Sequence, residues 1–212
     1  MRSKFFNWGG IAAAVVLIAF GIGATVMGVN GRDTVRSNLG TEQIVGTPDM
    51  TPSAIAAEAK AAGLKNVSIP SKSVAGQTIN TGDRARVFAQ YMRIHALEAT
   101  GGQVYSQMGR YLTASGKATD NDKVAAKDPK TGKPVENGAR NLWVTETALS
   151  TALNTSYFAE NVALFSIVMG IALMLTGIGF GVMALGLLPA YARRRELEPT
   201  SQVSTKTAVV AG

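Results

Sequence analysis

The chain contains no cysteine and only one histidine, His95. The first absence removes disulfides, thiolate nucleophiles and cysteine-based metal sites together. The second leaves no pair of imidazoles for a metal or a proton relay. Acidic residues are also few: 14 Asp and Glu face 21 Lys and Arg, for a net charge of +7. The basic surplus is scattered from Arg32 to Arg140 and interleaved with Asp and Glu. That is the pattern of a solvated surface, so nucleic acid is not expected as a partner. Charge is missing altogether from Gly9–Val29 and from the run that starts at Val162 and stops at Arg193-Arg194-Arg195. A proton or ion pathway normally needs an ionisable group within the membrane, which sets transport and channel activity aside. The chain also lacks a phosphate-binding G-x-x-x-x-G-K-[ST] loop, a dinucleotide fingerprint and a G-x-S-x-G elbow.

What is present is organised around Asn137–Arg195. No Pro or Gly interrupts this stretch between Gly138 and Gly170. It reads as an amphipathic helix that continues into a membrane span, about 80–90 Å long at 1.5 Å per residue. The hydrocarbon core takes about 30 Å of that, so the rest is expected to stand outside the bilayer as a stalk helix. Gly9–Val29 is the other candidate span, about 20 residues long. A signal peptide is the competing reading. The apolar run is longer than the roughly 7–15 residues of a signal h-region, and no A-x-A-like site follows it.

Between the spans, Asp33–Leu39 could form a short helix. Ser53–Ala62 reads as a helix with Ser53 as N-cap and Gly63 just past its end. Asn66–Ile79 is expected to be extended or coil. Thr81-Gly82-Asp83 opens a helix to about Thr100, with Val87, Phe88, Tyr91, Met92, Ile94 and His95 on one face. Gly101-Gly102 should break it. A second helical piece is expected over Gln103–Leu112, followed by a mobile polar loop over Thr113–Pro134. The tail after Arg195 has no helical period, and disorder is its default.

The expected fold is therefore mainly α: two transmembrane helices bracketing an extracytoplasmic helical domain, the second span continuous with the stalk. The boundaries are a cytoplasmic N-terminus over 1–8, a first span over 9–30, the domain over 31–160, a second span over 161–190 and a cytoplasmic tail over 191–212. The positive-inside rule sets the orientation, because Arg193, Arg194 and Arg195 flank one end of the second span. Both termini then lie in the cytoplasm of a plasma-membrane protein. Each span carries a stripe of small residues: Gly10, Ala14, Gly21, Ala24 and Gly28 in the first, and Ser166, Gly170, Gly177, Gly181 and Ala184 in the second. Such stripes let helix backbones approach closely within lipid, against each other or between copies.

Candidate chemistry is sparse. His95 has Tyr91 and Glu98 at helical spacing, with Tyr105 beyond the break. A general base would need such a carboxylate and a cleft. Asp120-Asn121-Asp122 opens like a calcium loop, but Ala125 and Thr131 occupy the positions that need Gly and Glu. No catalytic residue, cofactor or metal site is expected.

One set of short motifs carries a resemblance: Val35-x-x-x-Leu39-x-x-x-Gln43-Ile44, Gln77 to Thr81-Gly82, Ala85-x-x-x-Ala89 with His95, Gly102-x-x-Tyr105, Arg140-x-Leu142, Glu146-Thr147-x-Leu149 and Tyr157. Together they resemble a family of small two-span actinobacterial membrane proteins of undefined function, often labelled aromatic ring-opening dioxygenase. Members often carry Gly where this chain has Thr145. Facial-triad iron oxygenases hold iron with two histidines and a carboxylate, which one histidine cannot supply. The resemblance implies an architecture and a cellular setting. The expected role is a non-enzymatic scaffold or accessory subunit of a cell-envelope complex, with the bilayer and an envelope protein or a second copy as partners. The alternative is an envelope enzyme or ligand-binding domain that uses the helix face around His95.

Overall fold

The computed structural model describes residues 2–187 and 190, with side chains for residues 7–186 and 190. It is mainly helical. Helix α1 spans Arg2–Thr41, α2 Pro52–Ala61, α3 Gly82–Ala99 and α4 Gly138–Val182, with a wider π turn over Met183–Leu187. A short hairpin pairs β1 (Tyr111–Leu112) with β2 (Ala118–Thr119), antiparallel, with Tyr111 opposite Thr119. Helices α1 and α4 are both long and apolar enough to cross a membrane. The chain divides into two units: Gly28–Phe165, and Met1–Met27 with Ser166–Gly212. Arg193, Arg194, Arg195, Tyr191 and the expected tail lie outside the described residues.

Asp33–Leu39 is not a separate helix; it is the last part of α1. Glycine in a helix interior costs roughly 1 kcal/mol relative to alanine. Gly28 is buried and Gly31 lies against Ala163, so packing offsets that cost. The N-cap of α2 is Thr51 rather than Ser53. Its hydroxyl accepts from the Ala54 amide at 3.2 Å, and Pro52 takes the first helical position, where no N–H is needed. Gly63 follows with φ +67°, the left-handed conformation common just past a helix end. Thr81 caps α3 by accepting from the Arg84 amide.

Within Gly28–Phe165, α3 is the central element. Val87, Phe88, Tyr91 and Ile94 meet Ile55 and Ala59 of α2, Val74 and Ile79 of the 66–79 segment, Leu39 of α1 and Leu153 of α4. The 66–79 segment folds back on 44–50 through the amides of Gly46 and Ile79, which donate to Gln77 and Ile44. Gly46 is required there, because a Cβ would collide with the Val74 carbonyl.

No helix forms over Gln103–Leu112. Only Tyr105–Gln107 makes a 3-10 turn, Met108 is buried against Trp143, and Tyr111–Leu112 is a strand. The Thr113–Pro134 segment makes backbone hydrogen bonds to its flanks and within its own turns. Leu112 accepts from the Ala126 amide and donates to the Val135 carbonyl, while Asp128 Oδ1 accepts two amides of its own turn at 2.8 Å.

Candidate functional site

The small-residue stripes come into contact in the unit formed by Met1–Met27 and Ser166–Gly212. A Cβ added at Gly21 would lie 2.6 Å from the Gly170 carbonyl oxygen, and one at Gly177 would lie 2.9 Å from the Ala14 carbonyl oxygen. A Cβ at Gly10 would meet Ala184 Cβ at 2.9 Å, and one at Gly181 would meet Ala14 Cβ at 3.7 Å. The backbones of α1 and α4 are thus in direct contact, which leaves no room for a side chain at Gly21, Gly170 or Gly177. Ala24 and Ser166 are half-buried on the same faces, and Gly28 is buried in the other unit. The buried positions Gly170, Gly177 and Ala184 recur every seven residues, as do Ala14 and Gly21. That period keeps one face of a slightly supercoiled helix pair in register. Phe20, Met27 and Leu175 point outward, each at least 65% exposed.

In the other unit the inner face of α4 is built around two acidic residues. Glu160 is buried and collects three donors from two other helices. Its Oε2 accepts the Gly82 amide at 2.5 Å, and its Oε1 accepts Arg36 Nε at 2.7 Å and Arg32 Nε at 3.1 Å. Burial works to raise its pKa. The Gly82 amide, Arg36 and Arg32 together outweigh burial and hold the carboxylate below its ordinary value. Gly82 must be glycine, since a Cβ would stand 2.7 Å from Tyr157 Cα. Glu146, two heptads earlier, is also buried. It accepts Arg93 Nη1 at 2.9 Å and Ser150 Oγ at 2.7 Å, while the Arg93 guanidinium lies 4.0 Å from the Trp143 ring centroid. Arg140 does similar work near the start of α4, donating to the Met108 carbonyl and the Tyr105 hydroxyl and stacking over the Tyr105 ring. Sequence reasoning missed Glu146 and Glu160 as interface residues. The signal was available in the seven-residue spacing of Glu146, Leu153 and Glu160.

Leu142, Leu149 and Leu153 share a helical spacing that points to one inward face. Of the three, only Leu153 is buried; Leu142 and Leu149 are exposed. Elsewhere on α4, an open apolar groove of about 630 Å³ is lined by Tyr105, Trp143, Val144 and Ala148, with Arg93, Thr147 and Thr151 at its polar side. A more polar groove of about 490 Å³ adjoins it, with Lys65, Gln90, Arg93, Glu146 and Asn154 in its wall.

The His95 neighbourhood differs from the one its sequence spacing indicates. Tyr91 is fully buried and donates its hydroxyl to the Lys72 carbonyl, and burial raises its pKa. Tyr105 belongs to the Arg140 pair. Neither joins His95. Glu98 does, with Oε2 3.9 Å from Nδ1. Two residues distant in sequence join it as well: Asp49 Oδ2 lies 3.0 Å from Nε2, and Glu58 Oε2 lies 3.7 Å from Nδ1. A hydrogen bond from Thr47 holds the Asp49 carboxyl below its usual range; burial opposes that shift and His95 adds to it. Where the sequence pointed to no metal-binding group, the fold brings ligand atoms of Asp49, Glu58 and His95 within 4.8 Å of one another.

Comparison of the chain with protein-family models, with curated proteins and with solved structures finds no match.

Proposed function

We propose that the chain is a two-span membrane protein whose 31–160 region lies outside the cytoplasm and serves as a non-enzymatic scaffold or accessory subunit of an envelope complex. Its setting would be the plasma membrane, with both termini cytoplasmic, as in the actinobacterial proteins it resembles. The observation that carries this reading is the use made of its polar side chains. Glu160, Glu146, Arg32, Arg36 and Arg93 are spent on joining helices to one another. The surface left over is an apolar groove beside Trp143 and Val144, suited to another protein. Purification in mild detergent should recover the chain with an envelope protein or as a homo-oligomer; an isolated monomer under all conditions would contradict the reading.

A second reading, an envelope enzyme or ligand-binding domain, is favoured by one observation: three carboxylates converge on the single imidazole. His95→Ala should then fail to restore a deletion strain. Full rescue would sink this second reading.

A further inference from the structure

We infer that His95, Glu58 and Glu98 form a binding site for a divalent first-row transition ion such as Zn²⁺, with Asp49 as the group that orients the imidazole. The two ring nitrogens have different surroundings. Asp49 Oδ2 stands at hydrogen-bond distance from Nε2, 3.0 Å, and so accepts a hydrogen bond from Nε2–H. With Nε2–H held there, Nδ1 is the ring nitrogen left to a metal ion. There the two nearest carboxylate oxygens are at 3.7 and 3.9 Å, too far to be hydrogen-bonded. Ligands about 2.0–2.2 Å from a tetrahedral zinc stand roughly 3.4 Å apart, so each of these carboxylates is within a few tenths of an ångström of that separation from Nδ1. Glu58 and Glu98 are 35% and 45% exposed, free enough to make that movement.

Charge points the same way. In a chain with seven surplus positive charges, Asp49, Glu58 and Glu98 meet no lysine or arginine within 4.0 Å among the described residues. Three carboxylates around one imidazole repel one another, and a shared cation relieves that. An imidazole with carboxylates suits zinc or manganese; magnesium and calcium prefer all-oxygen shells. The carboxylate on the far ring nitrogen is the usual outer-shell partner of a metal-bound histidine. The ligands come from α2 and α3, so the ion would fasten one onto the other, while the 47–50 turn is held through the Asp49–His95 contact. One imidazole does not meet the two-histidine requirement of a facial-triad oxygenase, and no redox step is inferred.

Because His95 is the only histidine, its ring can be observed directly. The full chain, purified through a histidine-free tag in detergent and stripped with chelator, is labelled with ¹⁵N-histidine and titrated with Zn²⁺ by NMR and calorimetry. One ion per chain should bind, shifting Nδ1 and leaving Nε2 protonated. Glu58→Gln and Glu98→Gln should each weaken binding at least tenfold, and Asp49→Asn by about 10–100-fold, at unchanged helical circular dichroism. No heat and no ring shift in the wild type would overturn the inference. Binding through Nε2, or binding that both glutamine variants leave unchanged, would do so equally.

Discussion

A hydrophobicity pattern assigns buried glutamates to the outside of a helix, yet Glu146 and Glu160 both face inward. Each is admitted by donors that the pattern does not register. Glu160 takes the N-terminal amide of α3 and two arginines of α1, and Glu146 takes Arg93 and Ser150. Leu142 and Leu149 follow the helical spacing of Leu153 and are nevertheless exposed, whereas Glu146, seven residues before Leu153, is buried. Asp49 and Glu58 could not be attached to His95 from sequence, because 37 to 46 residues separate them and only the packing of α2 on α3 closes the distance. Glu160 allows a test. Its lowered pKa means that its contribution to stability is full above its unfolded value of about 4.3 and is lost as pH falls through the lower folded value. Hydrogen bonds to charged groups contribute about 1.5–3 kcal/mol, and the partly exposed arginines recover some solvation, so Glu160→Gln should cost about 2 kcal/mol at neutral pH. In detergent the wild type should lose its advantage over the variant as pH drops below about 4.3. An unchanged gap between them down to pH 2 would contradict this role.

Among the elements, α3 and the long α4 were legible because each has a clear start: Thr81 before Gly82, and Asn137 before Gly138. Asn137 Oδ1 accepts the Ala139 amide, and its Nδ2 donates to the Gly109 carbonyl. The 103–112 stretch has apolar residues at helical spacing but pairs as a turn and a strand. Gly109 is the reason, since a Cβ there would lie 2.5 Å from the Thr119 amide nitrogen, so the β2 segment can approach. The contact of α1 with α4 gives the element-scale prediction. Ala14→Cys with Gly181→Cys places two thiols on Cβ atoms about 3.7 Å apart, close to the separation a disulfide prefers. No native cysteine competes, so oxidation should cross-link the pair within one chain. Adding Gly170→Leu should abolish the cross-link, because the new side chain would collide with the Gly21 carbonyl and the Thr25 backbone. Gly179→Leu, with open space around it, should not. Equal cross-linking in both would contradict the glycine contact.

For the whole molecule, two apolar helices around a polar central region were legible from charge alone, whereas the partner surface was not. The residues lining the apolar groove, Tyr105, Trp143, Val144 and Ala148, come together only after the 103–112 segment turns back on α4. The central claim is that this region and the two termini lie on opposite sides of a membrane. The absence of cysteine makes single introduced thiols clean reporters of that arrangement. Ser115→Cys, exposed in the turn of the hairpin, should react with a membrane-impermeant maleimide in intact cells whose outer barrier has been opened. Ser204→Cys, in the C-terminal segment, should react only after the plasma membrane itself is permeabilised. Labelling of both thiols on the same side would contradict the account.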